Sequence, residues 1–520
     1  MTEDVSGEVH AGDFLMVGFS GTYLTRNLRE FFEEIKPKGV ILFKRNIENE
    51  NQLKRLISDL REILGEPIIA IDEEGGDVSR IDFIVPTPSH MGLAATRDPS
   101  SAYRIARIIG RELKRLGINS DLAPVLDVNI NPDNPIIGNR SFGEDPDEVA
   151  LYGENYIKGL LESGVIATAK HFPGHGDTST DSHYDLPIIP HNYERLVKVE
   201  IKPFQRAIRC GCPMIMVGHL YVPALDPEKI PASLSSRVIN GFLRETLGFE
   251  GVVITDDLEM KAVSSQFEVR KAAVKALSSG ADIVLICHTR EYQEEAYEAI
   301  EEALKDPSFR KEALLKKERI EKNLGVFLKT SVKEKDLDRE HYFEEALKIA
   351  KSAVTVVKWN NLPKEDFKKC IVFYPNKIKE RVSYFVYKLS EKKKDLEIIA
   401  VPYCGSKAEK YFELTKIIEQ KKTICIVFTW KADRDPCQKE FVEKIVKCEN
   451  TIIVSTSTPY DIRSFLEAER YIALYAASPI MMDALIDLIT SSEKTRGKLP
   501  VTIPNVAQKG QGLEVVIKIL

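Results

Sequence analysis

The feature that most constrains the fold is a series of eight short apolar runs in the first 290 residues, separated by longer segments with helical spacing. Each run is rich in β-branched or large apolar residues and has the length of a strand. The runs lie at 14–19, 39–43, 67–72, 118–124, 165–170, 213–218, 251–256 and 281–286. Helical spacing is clearest at 51–64, 101–117 and 269–280. The alternation predicts an α/β fold.

Alternating strands and helices favour parallel pairing, with helices on both faces of the strands. Eight units is the number that closes a (β/α)₈ barrel, and the alternative is an open doubly wound sheet. We predict a barrel domain over residues 1–335. Barrel active sites lie at the carboxyl ends of the strands. The predicted strands end there in polar residues, namely Asp72, Lys170, His171, His219, Asp256, Asp257 and His288. For Asp257, which precedes a helical stretch, helix capping is an equal alternative.

A second alternating series begins after a mainly helical stretch. Its apolar runs lie at 354–358, 370–374, 396–401, 423–429, 451–456 and 471–476. We therefore predict a helical linker over 336–352 and a second α/β sandwich domain over 353–520. That domain contains neither a glycine-rich phosphate loop nor a cluster of His and Asp, so the chemistry is expected in the barrel.

Composition excludes several classes of function. The charges nearly balance, with 73 basic and 79 acidic residues, which argues against a nucleic-acid partner. No stretch reaches about 18 uninterrupted apolar residues, so no membrane span is expected. The acidic N-terminus shows no signal peptide, which predicts a cytoplasmic protein. The eight cysteines form no C-x-x-C pair, which argues against a zinc cluster and a dense disulfide framework.

The stretch KHFPGHGDTSTDSH at 170–183 contains three histidines, two aspartates and a lysine. Such groups suit either a metal site or acid–base chemistry. His171 and His175 are four apart, but Pro173 and Gly174 between them prevent a shared helix face. The first predicted strand also lacks the H-x-H pair that is typical of metal-dependent barrel hydrolases. We therefore predict no metal and no cofactor.

The acid–base hypothesis uses Asp181, His183 and Asp256. A carboxylate that accepts one imidazole N–H fixes the tautomer and raises the basicity of the other nitrogen, although Asp181 and His183 could equally form a local turn contact. Asp256 ends an apolar strand in phase with Val252 and Ile254, so its side chain should point toward the barrel axis. A carboxylate there could attack an anomeric carbon, as covalent glycoside hydrolysis requires.

Five separated motifs resemble one known family. KHFPGHGDT followed by DSH, together with IDEEGGDVSR, GNRSFG and ITDDLEM, resemble the bacterial β-N-acetylglucosaminidases of glycoside hydrolase family 3. The closing GKLPVTIP is similar to the end of members with a C-terminal sandwich domain. The resemblance implies a retaining exo-β-N-acetylglucosaminidase that acts on small oligosaccharides derived from muropeptides or chitin.

The resemblance also implies roles for individual residues. Asp256 matches the nucleophile, His183 the general acid/base and Asp181 its partner. The residues that match sugar-binding positions are Asp72, Arg80, Arg140, Lys170 and His171. Asp77 departs from the family's pattern at its position. A β-glucosidase or β-xylosidase, a phosphorylase of the same family, and a non-catalytic sugar-binding barrel remain the alternatives.

Overall fold

The computed structural model describes residues 8–181, 185–329, 338–362, 366–404 and 422–520. In the first half of the chain, eight parallel strands pair in chain order and close into a barrel. These strands are β1 (Leu15–Val17), β2 (Gly39–Leu42), β3 (Ile68–Ile71), β4 (Ser120–Asp121), β5 (Ile166–Phe172), β6 (Met214–Val217), β7 (Val252–Asp257) and β8 (Ile283–Ile286). The predicted (β/α)₈ barrel is confirmed, and the open sheet is excluded because β1 also pairs with β8.

Strand β4 is shorter than the predicted run at 118–124. The side chain of Asn119 takes over part of the pairing with β3. Its Oδ1 accepts a hydrogen bond from the Ile69 N–H at 2.7 Å, and its Nδ2 donates to the Pro67 carbonyl oxygen at 2.9 Å. Pro124 has no N–H with which to continue a ladder. The apolar run is therefore buried as predicted, but only its middle pairs as a regular strand.

The helices of the barrel surround the strands and bury one apolar face each. They span Arg26–Ile35, Glu50–Leu64, His90–Ala95, Ser100–Leu116, Pro146–Glu162, Tyr193–Lys198, Lys202–Arg209, Lys261–Ser264, Val269–Ser278, Arg290–Ala303 and Pro307–Leu328, with a π-helix at Arg237–Thr246. Local signals set their ends. The Asn49 side chain accepts from the Gln52 N–H at 3.0 Å and caps the second helix. Gly117 ends the fourth helix in a left-handed conformation, with φ of 92°.

The second domain is a six-stranded sheet covered by helices. Its strands are β9 (Thr355–Trp359), β10 (Lys369–Pro375), β11 (Glu397–Tyr403), β12 (Thr423–Thr429), β13 (Thr451–Ser455) and β14 (Arg470–Ala473). They lie in the order β11-β10-β12-β13-β14-β9, and only the pairing of β9 with β14 is antiparallel. The helices described in this domain span Lys379–Lys392, Pro436–Ile445 and Pro479–Thr490.

Helices lie on both faces of this sheet, as aromatic contacts across it demonstrate. Phe373 of β10 contacts Phe441 with ring centroids 5.1 Å apart, whereas Phe428 of β12 contacts Phe385, also at 5.1 Å. Phe373 pairs in register with Val427, so Phe428 points to the opposite face. The predicted sandwich is confirmed. One disulfide joins Cys404 to Cys437, which the scattered cysteines did not predict.

A helix at Arg339–Ala353 connects the two domains. It packs on the barrel, where Arg339 pairs with Glu112 at 2.7 Å and the Tyr342 hydroxyl accepts a hydrogen bond from Arg111 at 2.6 Å. The predicted boundary at 335 and 336 lies outside the described residues. Within the ranges that the structure describes, no helix is long and apolar enough to cross a membrane.

Candidate active site

The carboxyl ends of β3 and β5 bring a buried lysine between two carboxylates. Lys170, 2% exposed, contacts Asp72 Oδ1 and Glu74 Oε1 with its Nζ, each at 2.7 Å. Burial alone would lower the pKa of this ammonium, but the two carboxylates raise it above its ordinary value. Lys170 is therefore held as a cation. Its ammonium carries three N–H groups, so one remains for a ligand beside the two carboxylates.

Glu74 also accepts a bidentate ion pair from Arg140. The Arg140 Nε and Nη2 atoms lie 2.9 and 2.7 Å from its two carboxylate oxygens. Burial would raise the pKa of Glu74, yet Arg140 and Lys170 hold it well below the ordinary value. The ionised Glu74 thus orients both cations, in the bidentate geometry that makes arginine–carboxylate pairs strong.

Asp127 organises His171, near the end of β5, and His175, which follows that strand. One of its oxygens accepts the backbone N–H groups of His171 and His175 at 3.2 and 2.7 Å. The other lies 2.8 Å from His171 Nδ1. A carboxylate can only accept, so Nδ1 of His171 carries a proton. In the neutral imidazole, Nε2 is then the nitrogen that can accept a hydrogen bond.

Asp256 is half-buried near the end of β7, where the pairing with β8 shifts register between Ile254 and Asp257. Burial would raise the pKa of the Asp256 carboxyl, but the nearby imidazoles of His171 and His219 and the ammonium of Lys170 hold it below its ordinary value. Asp256 is therefore a carboxylate at neutral pH. This is the ionisation state that a nucleophile needs.

His219, which follows β6, lies beside Asp256 in a defined tautomer. Its Nε2 is 2.8 Å from the carbonyl oxygen of Asp257, which can only accept, so Nε2 is protonated. Its Nδ1 is 2.7 Å from the hydroxyl of Ser233. Asp257 does not cap the helix Lys261–Ser264, whose N-cap residue is Met260. Its Oδ1 accepts from the N–H groups of Glu259 and Cys287, both at 3.2 Å.

Most of the sequence-predicted site residues lie together at this rim. Asp72, Arg140, Lys170 and His171 form the cluster above, and Arg80 Nη2 lies 3.6 Å from Asp72 Oδ2. The Arg80 Nε atom is buried and has no hydrogen-bond partner among the described residues. These residues are therefore brought together as the motifs suggested, while their roles stay predictions.

The predicted dyad is described only in part. Asp181 is half-buried, and its carbonyl oxygen accepts a hydrogen bond from the Asp185 N–H at 3.2 Å. His183 lies outside the described residues, so the pairing of its imidazole with Asp181 stays a prediction.

Sequence reasoning missed Glu74 and Asp127. Glu74 lies in IDEEGGDVSR, where nothing in the sequence distinguishes it from the adjacent Glu73. Asp127 follows the short β4, and its signal was a lone charge in the apolar run APVLDV, beyond the predicted end of the strand at 124. Both residues bind side chains that are distant in sequence, which no local pattern encodes.

Among the residues that the structure describes, two groups of side chains have the spacing of metal ligands. In Asp177–His191–Glu200, the Arg195 guanidinium pairs with Glu200 at 2.8 Å and lies 3.8 Å from Asp177. A cation would have to displace this arginine. In the group formed by Asp257, Cys287 and His288, burial raises the pKa of the Cys287 thiol well above its ordinary value.

Comparison with known proteins finds relatives over about half of the chain. A β-hexosaminidase of Stenotrophomonas maltophilia strain K279a is 36% identical over 295 residues, which are 55% of this chain and 87% of that protein. Beta-hexosaminidase A of Pseudoalteromonas piscicida is 37% identical over 287 residues, which are 51% of this chain, and the chain spans about half (48%) of that relative's length.

Similarity in structure extends over both domains. A solved glycoside hydrolase family 3 β-N-acetylglucosaminidase from Paenibacillus sp. str. FPU-7 superposes with a TM-score of 0.87 at 32% identity, covering 95% of this chain and 98% of that one. Residues 8–322 match the model of the glycosyl hydrolase family 3 N-terminal domain. This match spans more than half of the chain and contains the whole cluster described above, so the chain belongs to glycosyl hydrolase family 3.

Proposed function

We propose that this protein is a retaining exo-β-N-acetylglucosaminidase that releases terminal N-acetylglucosamine through a covalent glycosyl-enzyme. The observation that carries the proposal is the ionised Asp256 at the barrel rim, beside Lys170 and His171. Retaining glycosidases need a nucleophilic carboxylate on one side of the scissile bond and a proton donor on the other. The named activities of the relatives support N-acetylglucosamine as the sugar.

The proposed reaction has two balanced steps. In the first, an Asp256 oxygen bonds to the anomeric carbon, the glycosidic C–O bond breaks, and the leaving oxygen takes a proton from His183. In the second, water gives a proton back to that imidazole, its oxygen bonds to the anomeric carbon, and the bond to Asp256 breaks. Each step inverts the anomeric carbon, so the product retains the starting configuration.

Sugar binding is proposed for the paired charges around Asp256. Lys170 has a third N–H beyond its two carboxylate contacts, and Arg80 has a buried Nε without a partner in the described part of the chain. Asp72 offers carboxylate oxygens to sugar hydroxyls. Burial would raise its pKa, but Lys170 and Arg80 hold it below the ordinary value, so it accepts hydrogen bonds as an anion.

The choice of sugar is tested with three aryl glycosides. Turnover of p-nitrophenyl N-acetyl-β-glucosaminide should exceed that of the matching β-glucoside and β-xyloside. Proton NMR of the first-formed product should show the β-anomer. Faster cleavage of the glucoside, or an α-anomer as first product, would contradict the proposal.

The natural substrate and the acceptor are finer parts of the proposal. We propose a cytoplasmic location, and fragments derived from muropeptides or chitin as the substrate. Rates on N-acetylglucosaminyl-anhydromuramic acid and on chitobiose separate these two classes. Water is the proposed acceptor, and formation of N-acetylglucosamine 1-phosphate in the presence of inorganic phosphate would instead identify a phosphorylase.

A further inference from the structure

The segment 131–137, which follows β4 on the barrel, is bound by three cationic side chains of the second domain. Arg434 donates from Nη1 to the Asn134 carbonyl oxygen at 3.0 Å and from Nη2 to the Pro132 carbonyl oxygen at 2.9 Å. Lys431 Nζ donates to the carbonyl oxygen of Pro135 at 3.3 Å. Arg463 pairs with the Asp133 carboxylate at 2.8 Å. Most of these bonds have backbone carbonyl acceptors, so they constrain the backbone path of the segment.

The same segment holds the chain that follows β5. The Asn134 side chain, in a residue that is 2% exposed, donates from Nδ2 to the His175 carbonyl oxygen at 2.8 Å and to Thr178 Oγ1 at 3.3 Å. Its Oδ1 accepts from the N–H groups of Ile136 and Ile137, at 3.0 and 2.8 Å. One buried amide therefore shapes segment 131–137 and joins it to His175 and Thr178.

His175 is also held from the barrel side. Its N–H donates to Asp127 Oδ1 at 2.7 Å, and the same carboxylate orients His171. The turn His171–Thr178 thus lies between a barrel carboxylate and the amide of Asn134, whose own carbonyl is bound by Arg434. This is a continuous set of hydrogen bonds from the second domain to the histidine beside Asp256.

We propose that the second domain positions the turn His171–Thr178 for catalysis through Arg434 and Asn134. The inference rests on the proposed function for its kinetic readout. Arg434 and Asn134 are positioning residues, since each acts through the next and none of the contacts above brings either to Asp256. Small displacements of groups around a reacting centre cost up to about 10²-fold in rate without loss of the fold.

The kinetic experiment compares Arg434→Ala with Lys509→Ala on the aryl N-acetylglucosaminide. Lys509 is a matched control, because its Nζ also joins the domains, contacting Asp145 at 2.6 Å at the start of the helix Pro146–Glu162, away from segment 131–137. We expect Arg434→Ala to lower kcat by roughly 10- to 100-fold with a smaller change in KM. Lys509→Ala should change both constants by less than about two-fold, and Arg434→Lys should recover part of kcat.

A double-mutant cycle tests the path. Asn134→Asp keeps the Oδ1 acceptor but removes the two Nδ2 donations. If Arg434 acts through Asn134, the double variant should be no slower than the slower single variant, whereas Lys509→Ala and Asn134→Asp should combine additively. Additive losses for Arg434→Ala and Asn134→Asp would overturn the proposed path.

Hydrogen exchange provides a readout that needs no substrate. The N–H groups of Gly174 and His175 are bonded to the His171 carbonyl and to Asp127, each at 2.7 Å, so they should exchange slowly in the wild-type protein. Arg434→Ala should speed exchange across 171–178, and Lys509→Ala should not. Unchanged exchange in Arg434→Ala, with melting temperature lowered equally in both variants, would overturn the inference. Failure of the wild type to cleave the aryl N-acetylglucosaminide would instead contradict the proposed function. The hydrogen-exchange comparison would then be the test of whether the second domain positions the turn.

Discussion

Lys170, Glu74 and Arg140 are buried or nearly so, and each one contacts an opposite charge within 3 Å. Burying an unpaired charge costs several kcal/mol, so these groups depend on one another to stay ionised. At the scale of the residue, the site is therefore a set of paired charges arranged around Asp256.

Asp256→Ala tests the nucleophile. Without the carboxylate no covalent intermediate can form, so we expect loss of essentially all glycosidic cleavage while the protein stays folded. Turnover of the aryl N-acetylglucosaminide and the melting temperature are the measurements. Activity within ten-fold of wild type in a correctly folded Asp256→Ala variant would remove Asp256 from the mechanism.

His183→Ala tests the proton donor predicted from sequence. General acid–base loss costs about 10² to 10⁴ in rate, and substrates with poor leaving groups should suffer most. Activated aryl substrates need less protonation, so their glycosyl-enzyme should accumulate, and azide should restore turnover by attacking it. Wild-type rates of His183→Ala on natural disaccharides would place the donor elsewhere.

Glu73 carries a pH-dependent contribution to stability. It is 2% exposed, and burial raises its pKa from 4.5 to about 7. Between these values the folded state binds more protons than the unfolded state, so this contribution is complete below pH 4.5 and is lost as pH rises through about 7. In the wild type, the free energy of unfolding should fall between these two pH values. Glu73→Gln should reduce that fall by an amount on the order of 3 kcal/mol.

Denaturant unfolding at several pH values measures this effect. The exposed Glu33→Gln is the matched control and should leave the pH dependence as it is in the wild type. Equal pH dependence in Glu73→Gln and wild type would mean that Glu73 is already ionised in the folded protein below pH 7.

At the scale of the element, the turn after β5 is possible because glycine lets two chain segments touch. A Cβ at Gly176 would lie 1.9 Å from the carbonyl oxygen of Val128 and 2.4 Å from its carbonyl carbon. This close approach brings His175 within reach of Asp127. Gly176 is therefore required because its Cα lies against the backbone of Val128, in the segment that follows β4.

Gly176→Ala should consequently separate this turn from Val128. Overpacking of this kind typically costs about 1 to 3 kcal/mol. We expect a lower melting temperature and a lower kcat, both measured on the purified variant. Gly241→Ala is the control, since nothing lies within 4 Å of a Cβ there, and an added Cβ in a helix is neutral or stabilising. Equal effects of both variants would refute the contact argument.

At the scale of the whole molecule, the domains are joined by buried polar contacts. Asp77 accepts from the Ala477 N–H of the second domain at 3.0 Å and from the Asn139 side chain at 2.7 Å. Asn129 Nδ2 donates to the hydroxyl of Tyr460 at 3.0 Å, and both side chains are buried. The second domain therefore packs against the same barrel segments that carry the site.

Tyr460→Phe should destabilise the whole protein, because it leaves the buried Asn129 amide without its acceptor. An unsatisfied buried polar group costs about 1 to 3 kcal/mol. Tyr387→Phe is the matched control, since this tyrosine is 59% exposed and its hydroxyl donates to Glu391, in the same helix, at 2.8 Å. Denaturant unfolding should show a loss for Tyr460→Phe and little change for Tyr387→Phe, and equal stabilities would contradict a structural role for this contact.

Much of the architecture could be read from local patterns. Eight apolar runs predicted eight strands, and the polar residues at their ends predicted that Asp72, Lys170, His171 and Asp256 share one rim. These features depend on residues that are neighbours in sequence, since burial periodicity and strand termination are local properties. The predicted bounds of β4 were wrong at its start because the Asn119 side chain pairs with Ile69 and Pro67, which are distant in sequence, in place of backbone pairing that an apolar run implies.

The sequence alone therefore determined the fold class, the second domain and the set of candidate residues at the rim. Only the tertiary structure decided which of two adjacent glutamates pairs with Lys170, and that Asp127 orients a histidine 44 residues away. It also decided that Asp77 and Arg434 join the domains beside the site. Charge pairing depends on distances between segments that the closed barrel and the docked sandwich bring together, and no local pattern contains those distances.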